Sequence, residues 1–409
     1  MQPAKLDSAI ARVLAHASPH STALVPVAEA LGGVLAISPC ARWQLPLADT
    51  STMDGYAVRA GDLQSVSGTL RLHKHSESAA GHPSKSPLGA LETARISTGA
   101  LLPPGADAVV AQEDVIAVEA DAIVIDIGRV GPIGPGHFVR KAGSEVQLGE
   151  ALLQPGIRLA APELALLAGC GHAQVPIHRR PKVSIVCTGD ELLPIGGEPK
   201  PGQVISTNGM MLAGMVTELG ASASQHATLG DDRQATIDGL ARAIDGADVL
   251  ITSGGISVGD HDHVGPALQA LGLQPVFTSL LLRPGRPLTF GRLGSTWIFA
   301  LPGNPASTYV TFELIVRPLL CRLLGLPTDW RRPRQLLRLR APAKRAGQRL
   351  HVVRATVEGN EATPLRQQAS GSLRSLAGHN ALLLIEPGTG ELPTGAQVSA
   401  VLIDPGSTS

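Results

Sequence analysis

The segment Asp248–His263 constrains the fold more than any other part of the chain. It begins with the short apolar run Val249–Thr252, which is typical of a strand buried on both faces. Ser253-Gly254-Gly255 then ends the strand, and the glycines can take positive φ and let backbone N–H groups approach an anion. The pattern predicts a strand, a glycine cradle (Ser253–Gly255) and then a helix. The alternative is a plain connecting turn, with Asp260 as the cap of that helix.

Strand and helix patterns alternate from Lys182 onward, which predicts a doubly wound α/β domain. Three predicted strands end in polar, turn-forming sequences, and a fourth such sequence precedes a helix. Because ligands bind outside the carboxyl ends of parallel strands, we expect all four at one edge of the sheet. These sequences are Thr188-Gly189-Asp190-Glu191, Ser253-Gly254-Gly255, Pro302-Gly303-Asn304-Pro305 and Gly230-Asp231-Asp232.

Carboxylates and arginines near these strand ends indicate a site for a metal and an anion. Arg283 and Arg286, separated by Pro-Gly, suit a tetrahedral oxyanion or a phosphate. Three other interpretations stay open: aspartates that cap helices, arginines that lie in a surface turn, and a zinc site from Asp260-His261-Asp262-His263. Hard oxygen ligands of the kind that Mg²⁺ prefers come from Asp190, Glu191, Asp231, Asp260 and Asp262.

The N-terminal half has a different pattern. Apolar spacing predicts one helix from Asp7 to Ala17 and a second, short helix over Val25–Leu31, and the chain from Gly61 to about Gly149 is β-rich. Within Ser51–Val58, the Asp54-Gly55 pair predicts a tight turn. Two interpretations are open. The turn either holds the Asp54 carboxylate rigidly in a functional site, with Ser51 as a local hydrogen-bond donor, or is a hairpin with no functional role.

Composition excludes several classes of function. The formal net charge is +0, and Lys and Arg form no long block, so nucleic-acid and membrane-surface binding have no electrostatic support. The four cysteines form no CxxC pair and fit buried thiols in a reducing compartment. The first eighteen residues lack the apolar core of a signal peptide, and no apolar run is long enough to cross a membrane. These features predict a soluble, cytoplasmic protein.

Six motifs occur in an order that resembles the MoeA family of molybdopterin molybdenumtransferases, which includes the C-terminal part of gephyrin. The resemblance covers nearly the whole chain, and the order of the motifs makes it specific. The motifs are Ser51-Thr52-Met53-Asp54-Gly55-Tyr56-Ala57, Arg95–Ala100, Thr188-Gly189-Asp190-Glu191-Leu192, Ser253–Asp260, Leu301-Pro302-Gly303-Asn304-Pro305 and Ser370-Gly371-Ser372.

The resemblance implies four structural domains in an elongated homodimer. The chain is then an α/β multidomain protein with a central doubly wound α/β domain of the molybdopterin-binding type, an inserted β-rich lobe and a small C-terminal β-barrel-like domain. The expected boundaries are 1–50 and 141–179 for the N-terminal linker or dimer domain, 51–140 for the lobe, 180–327 for the central domain and 333–409 for the C-terminal domain.

The resemblance also implies a reaction in which adenylylated molybdopterin and molybdate give molybdenum cofactor and AMP, with Mg²⁺ as cofactor. Other proteins of molybdenum-cofactor biosynthesis are further expected partners. Catalytic acids are expected at Asp54, Asp190, Glu191, Asp231 and Asp262, and all of these except Asp54 are expected metal ligands. Substrate-binding positions are expected at Ser51, Thr188, Gly189, Ser253, Gly254, Gly255, Ser257, Arg283, Arg286, Pro302, Gly303, Asn304, Pro305 and Ser372.

Two short segments depart from the family pattern. Arg283 and Arg286 stand where the family usually has lysines, which changes reach and hydrogen-bond geometry but keeps the charge. Ser144-Glu145 stands where the family usually has Glu-Asp, so one carboxylate is lost.

Two alternative functions remain open: adenylylation of molybdopterin by a relative of the central domain, and a non-catalytic, gephyrin-like scaffold. The Asp54 motif and the terminal β domain argue against the first, and the retained carboxylates argue against the second.

Overall fold

The computed structural model describes residues 2–15, 17–64, 66–256, 262–327 and 332–403. Ser257, a predicted substrate-binding residue, lies outside them, as do Asp260 and His261 of the zinc alternative. Among the described residues, no helix has both the length and the apolar character needed to cross a bilayer.

The chain up to His178 forms an N-terminal region and a β-rich lobe. Its helices are α1 (Leu6–Leu14), α2 (Ala60–Leu63), α3 (Ile127–Val130) and α4 (Ala161–Gly169), with 3-10 turns at Val27–Glu29 and Gln112–Asp114. Its strands are β1 (Thr22–Pro26), β2 (Thr50–Ser51), β3 (Gly55–Val58), β4 (Thr69–Ser78), β5 (Glu92–Ile96), β6 (Ala108–Ala111), β7 (Val115–Val118), β8 (Ala122–Asp126), β9 (Val139–Arg140) and β10 (Gln174–His178).

The predicted helix over Val25–Leu31 is wrong. The chain there is the end of β1 followed by a 3-10 turn. Strand β1 pairs antiparallel with β10, from Thr22 opposite His178 to Pro26 opposite Gln174. The strand conformation depends on hydrogen bonds to a segment about 150 residues away in the chain. Such distant pairing cannot be predicted from the local sequence of Val25–Leu31.

The lobe is a sheet with the strand order β6-β3-β5-β4-β8-β7. The turn at Asp54-Gly55 does not close a hairpin, because β2 pairs with β9 while β3 pairs with β5 and β6. Gly55 lies between two neighbouring strands, where a Cβ would collide with the carbonyl oxygen of Val110. The β-rich pattern of this part of the chain is confirmed, but no strand was predicted over β5, which lies inside the sheet.

The central domain contains the strand–helix alternation that the sequence predicts from Lys182. Its helices are α5 (Asn208–Glu218), α6 (Arg233–Ile244), α7 (Val264–Ala270), α8 (Pro305–Thr311) and α9 (Arg317–Leu323), and a π-helical turn (Phe312–Val316) joins α8 to α9. Its strands are β11 (Lys182–Cys187), β12 (Leu192–Leu193), β13 (Val204–Ile205), β14 (Ser222–Gln225), β15 (Val249–Ser253), β16 (Gln274–Ser279), β17 (Leu282–Arg283), β18 (Pro287–Leu293) and β19 (Thr296–Leu301).

The central sheet has the order β14-β11-β15-β19-β18-β16, and its first four strands are parallel. Successive side chains of each strand point to opposite faces. On one face Ile251 and Phe299 pack in a core with α1, α5, α8 and α9, and on the other Leu250 and Ile298 pack with α6 and α7. The sheet is covered on both faces, so the predicted doubly wound fold is confirmed.

The C-terminal domain is a small closed barrel. Its elements are β20 (Arg334–Leu339), β21 (Ala343–Lys344), β22 (Leu350–Glu358), β23 (Glu361–Pro364), α10 (Arg374–Ala377), β24 (Ala381–Ile385), β25 (Glu391–Leu392) and β26 (Gln397–Leu402). Strands β22-β23-β20-β26-β24 pair in that order, and β24 pairs again with β22. The expected fold class is therefore confirmed in all of its parts. Strand β17 of the central domain adds to this sheet beside β22.

A buried ion pair joins the barrel to the central domain. Glu313 lies in the π-helical turn with 4% of its side chain exposed, and both of its oxygens accept from Arg332, at 2.6 and 2.9 Å. Arg332 also donates to the carbonyl oxygen of Ile403 at the end of the barrel. The pair therefore links the barrel to a helix that packs on the central sheet.

We expect Glu313→Ala to lower the free energy of unfolding by roughly 3–5 kcal/mol, because it leaves the Arg332 charge buried without its counter-ion. Chemical denaturation measures the change. Glu358→Ala is the control, since Glu358 pairs with Arg340 in an exposed ion pair that contributes less than about 1 kcal/mol. Equal losses in the two variants would contradict the structural role of Glu313.

Candidate functional site

The carboxyl ends of three neighbouring parallel strands meet at one edge of the central sheet. Cys187 of β11 lies opposite Ser253 of β15, which lies opposite Leu301 of β19. The sequences that follow them lie side by side and line a cleft of about 910 Å³, here called the central cleft. The predicted site residues that line it are Thr188, Gly189, Glu191, Asp231, Ser253, Gly254, Gly255, Asp262, Pro302, Gly303, Asn304 and Pro305.

One wall of the central cleft was missed by the sequence analysis. It comes from the segment between β12 and α5, in which β12 and β13 form a two-stranded sheet. The available signal was Ser206-Thr207-Asn208, a polar run between a strand and a helix like the other strand ends. The lining residues of this wall are Leu192, Pro199, Gln203, Val204, Ile205, Ser206, Thr207 and Asn208.

The glycine cradle needs glycine for two separate reasons. Gly254 has φ +104° and Gly255 has φ +59°, a region that residues with a Cβ rarely adopt. A Cβ on Gly254 would also lie 2.5 Å from the carbonyl oxygen of Thr188, and a Cβ on Gly255 would lie 2.8 Å from Val264. The two glycines therefore let the chain turn sharply over Thr188 and bring the backbone to the surface of the cleft.

The Ser253 side chain faces the protein rather than the cleft. It is 2% exposed, and its hydroxyl accepts from Asn208 Nδ2 at 2.9 Å and donates to the carbonyl oxygen of Pro302 at 3.2 Å. Both hydrogen-bonding roles of the hydroxyl are thus used internally. The Gly254 N–H is also used internally, because it donates to the carbonyl oxygen of Leu301 at 3.2 Å. A ligand at the cradle would therefore meet the backbone at Gly255 rather than the Ser253 side chain.

The predicted acids of the central cleft lie on separate strand ends. Asp190 Oδ1 accepts from the backbone N–H of Asp231 at 2.9 Å, which joins the loop after β11 to the loop before α6. Glu191 folds back over Gly189. Asp262 lines the cleft just before α7. The residue that caps α6 is Asp232, through a 2.7 Å bond from Ala235 N, so the alternative role of Asp231 as the cap is wrong.

Among the described residues, no three His, Cys, Asp or Glu side chains converge closely enough to hold a metal ion by themselves. The donor set is a few carboxylates near the strand ends. Such a set fits Mg²⁺, which binds through one or two carboxylates and completes its shell with water and substrate phosphates. The zinc alternative stays a prediction, because Asp260 and His261 lie outside the described residues.

A loop of the C-terminal domain forms another wall of the central cleft. Gly371 and Leu373 line the cleft, and the carbonyl oxygen of Ser370 accepts from Ala306 N of α8 at 2.9 Å. Ser372 lies between the two lining residues, and its hydroxyl donates to Gln367 at 3.2 Å. The sequence analysis had predicted Ser372 here, but a barrel loop reaching the strand ends is visible only in the fold.

A buried arginine holds that loop. Arg354 is fully buried, and its guanidinium donates to the carbonyl oxygen of Ala369 at 3.2 Å. Gln368 donates in turn to the carbonyl oxygens of Arg354 and Leu365, each at 2.8 Å. Nothing local in the sequence distinguishes Arg354 from the other arginines of the barrel, so its role was not predicted.

The loop Arg283–Arg286, here called the arginine loop, lies where the two domains meet. Both arginines are exposed, and neither lines the central cleft, although the adjoining Pro287 does. Gly285 has φ +103° and lies against Thr311 of α8. Burial lowers the pKa of His351, and the charges of Arg283 and two other nearby arginines lower it further, against a backbone hydrogen bond to Lys344 that raises it.

Asp54 lies in the lobe and does not line the central cleft of its own chain. Its Oδ1 accepts from Thr98 N at 2.7 Å, and this hydrogen bond lowers the pKa of the Asp54 carboxyl group. Ser51 closes the same turn, because its hydroxyl donates to the carbonyl oxygen of Met53 at 2.6 Å. The turn thus presents an exposed, ionised carboxylate.

The fold and the cleft define a class: a multidomain α/β protein with a backbone cradle at the strand ends of its central sheet. Three family models match the chain in succession. They are the MoeA N-terminal region (domain I and II) over residues 4–171, a probable molybdopterin binding domain over residues 184–322, and the MoeA C-terminal region (domain IV) over residues 337–403.

Curated relatives and a solved structure agree with these models. The molybdopterin molybdenumtransferase of Nostoc sp. is 34% identical over 393 residues, which cover 93% of this chain and 88% of that protein. The Bacillus subtilis protein of the same name is 32% identical over 98% of this chain and 94% of its own. A molybdopterin biosynthesis MoeA protein from Pyrococcus horikosii superposes with a TM-score of 0.84 at 31% identity, covering 98% of this chain and 100% of that one. The chain belongs to the MoeA family.

We expect Gly254→Ala to destabilise the protein by about 1–3 kcal/mol, because the added Cβ meets both an unfavourable φ and the Thr188 carbonyl. Calorimetry measures the shift. Gly265→Ala is the matched control, since a Cβ there meets nothing within 4 Å in α7 and is expected to stabilise the helix by up to about 1 kcal/mol. If Gly254→Ala leaves the stability of the protein unchanged, the backbone of the cradle is not constrained as described.

Proposed function

We propose that this protein inserts molybdenum from molybdate into adenylylated molybdopterin, with Mg²⁺, and releases AMP as molybdenum cofactor forms. The observation that carries the proposal is the central cleft itself, in which a backbone cradle and several carboxylates share the ends of three parallel strands. Membership of the MoeA family supports the same reaction. The substrate is an anion with phosphate groups, and the cradle is suited to one of them.

In this proposal the chain acts mainly by positioning and by electrostatic stabilisation. The backbone at Gly255 holds the phosphate that joins the pterin to the adenylyl group, and the bond from Gly254 N to the Leu301 carbonyl oxygen fixes the turn before it. The loops at Pro302–Pro305 and Gly371–Leu373 enclose the substrate and exclude water from two sides. An oxygen atom of molybdate or of a bound water attacks the adenylyl phosphorus as the bridging P–O bond breaks, so AMP leaves without a nucleophilic serine. This agrees with the internal hydrogen bonds of the Ser253 hydroxyl.

Asp190, Glu191, Asp231 and Asp262 are the proposed holders of Mg²⁺. When bound, the ion would offset the repulsion between these carboxylates and the substrate phosphates. The bond from Asp231 N to Asp190 keeps two of the loops that carry them together.

The arginine loop and Ser372 are the proposed binding groups for molybdate. Both adjoin residues that line the cleft, the arginine loop beside Pro287 and Ser372 between Gly371 and Leu373. Two guanidinium groups offer planar pairs of donors that suit a tetrahedral oxyanion.

A homodimer completes this proposal. Asp54 and Ser51 lie outside the central cleft of their own chain, so the Asp54 turn would contribute to the cleft of a partner subunit. The N-terminal region also exposes apolar side chains of the kind that dimer interfaces cover. These are Leu24 at 66% exposure, Leu31, Ile37, Trp43, Leu47 and Leu148. The protein would work in the cytoplasm beside other proteins of cofactor biosynthesis, without nucleic acid or membrane.

Reconstitution with adenylylated molybdopterin, molybdate and Mg²⁺ tests the reaction. We expect AMP release and active cofactor from the wild type, and rates lower by on the order of 10²-fold for Asp190→Asn and Asp262→Asn. Asp190→Asn keeps the oxygen that accepts from Asp231 N, so it removes charge without removing that bond. Asp238→Asn, on the exposed face of α6, is the control.

The outcomes separate the alternatives. Wild-type rates in both cleft variants would favour a non-catalytic scaffold. Formation of adenylylated molybdopterin from ATP, without metal insertion, would favour an adenylyltransferase. Absence of both reactions would exclude the proposed function.

Mixing two inactive variants tests the shared site. Asp54→Asn and Asp190→Asn subunits, co-expressed and randomly paired, should recover about one quarter of wild-type activity, because each mixed dimer has one site free of both substitutions. Each variant expressed by itself provides the baseline. If the mixture is no more active than its separate components, Asp54 does not act in the partner's cleft.

A further inference from the structure

We propose that Asn208 is a positioning residue, whose carboxamide sets the distance between the glycine cradle and the Pro302–Pro305 loop. The proposal deepens the proposed function and rests on it. Asn208 is the first residue of α5 and lines the central cleft. It was not among the residues that the sequence analysis selected.

The amino group of Asn208 contacts three separate elements. Its Nδ2 donates to Ser253 Oγ at 2.9 Å, to the carbonyl oxygen of Gly303 at 2.7 Å and, more weakly, to Thr308 Oγ1 at 3.4 Å. The Gly303 carbonyl can only accept a hydrogen bond, so the nitrogen of the amide must face it. One side chain thereby joins the end of β15, the loop after β19 and the first turn of α8.

These contacts belong to a larger network. The Ser253 hydroxyl, which accepts from Asn208, donates in turn to the carbonyl oxygen of Pro302. The Thr308 hydroxyl donates to the same oxygen at 2.6 Å. Gly303 lies so close to the cradle that a Cβ there would be 3.4 Å from the Cα of Gly254. Loss of the Asn208 donor would release the Gly303 carbonyl, and the loop would no longer be fixed against the cradle.

A capping role for this side chain is excluded by its contacts. An asparagine at the start of a helix commonly caps it, but the capping position of α5 is Thr207 and no side-chain cap is formed. The Asn208 carboxamide donates across the cleft edge to other elements, and its own Oδ1 has no hydrogen-bond partner among the described residues. Its structural contribution is therefore carried by the two N–H groups.

Asn208→Asp is the sharpest test, because it keeps the shape and exchanges the amino group for an oxygen. Above neutral pH the new carboxylate would repel the Gly303 carbonyl and the substrate phosphate, and we expect KM for adenylylated molybdopterin to rise by about 10- to 100-fold. A carboxyl group in this partly buried place, beside a carbonyl, has a raised pKa. On acidification its O–H can donate to Gly303, so KM should recover towards wild type between about pH 8 and pH 5.5.

Selectivity separates positioning from general damage. The dependence of the reaction on molybdate should stay within about twofold of wild type, because the proposed molybdate site lies on the arginine loop. Asn360→Asp introduces the same charge in the barrel, where Asn360 contacts Gln335, and should change neither parameter. Asn208→Ser keeps one donor and should give a smaller rise in KM that does not depend on pH.

The results overturn the proposal in distinguishable ways. An unchanged KM in a folded Asn208→Asp variant would remove the inference and leave the proposed function intact. So would a raised KM that does not recover at low pH, or an equal loss for molybdate. If Asn208→Asp does not fold, a wild-type KM in Asn208→Ser would remove it. If the wild-type protein itself forms no cofactor, the proposed function is wrong, and the inference about Asn208, which rests on it, is wrong as well.

Discussion

The site depends on the in-register parallel pairing of β11, β15 and β19. Backbone hydrogen bonds along these strands place Cys187, Ser253 and Leu301 side by side, so three loops distant in sequence begin at the same edge. Helices on both faces make the sheet rigid, because apolar side chains of every strand are buried on each side. The cradle, the carboxylates and the Pro302–Pro305 loop would have no common geometry without this register.

The central cleft combines two kinds of recognition. At the cradle the protein offers backbone groups, and the side chains of Ser253 and Asn208 are used to fix that backbone rather than to contact the ligand. On its rim the cleft offers carboxylates of the central domain, and the two arginines of the arginine loop lie beyond the lining, beside Pro287. A fixed backbone favours any phosphate, so discrimination between substrates has to come from the rims and from the loops that enclose the cleft.

The sequence predicted those parts of the fold that local patterns determine. Helix α6 begins directly after Gly230-Asp231-Asp232, where a helix was predicted, and β15 extends the predicted strand Val249–Thr252 by one residue. Predictions failed where distant pairing decides, as at Val25–Leu31 and in the lobe strand β5. The shared edge of the cleft followed from the rule for parallel strands. The roles of Asn208 and Arg354 could not be predicted in this way, because they consist of contacts with loops far away in the chain.

Strand β17 has a consequence for how this architecture can be divided. It belongs to the central domain by sequence, yet Leu282 and Arg283 pair with Leu350 and His351 as an added strand beside the barrel. A central domain cut off after Pro327 would expose Leu282, which is 1% exposed in the intact chain, and would leave the arginine loop without support on one side. The two domains are therefore not exchangeable modules. A barrel taken from a relative must bring a matching β22 edge, or the arginine loop will adopt a different position.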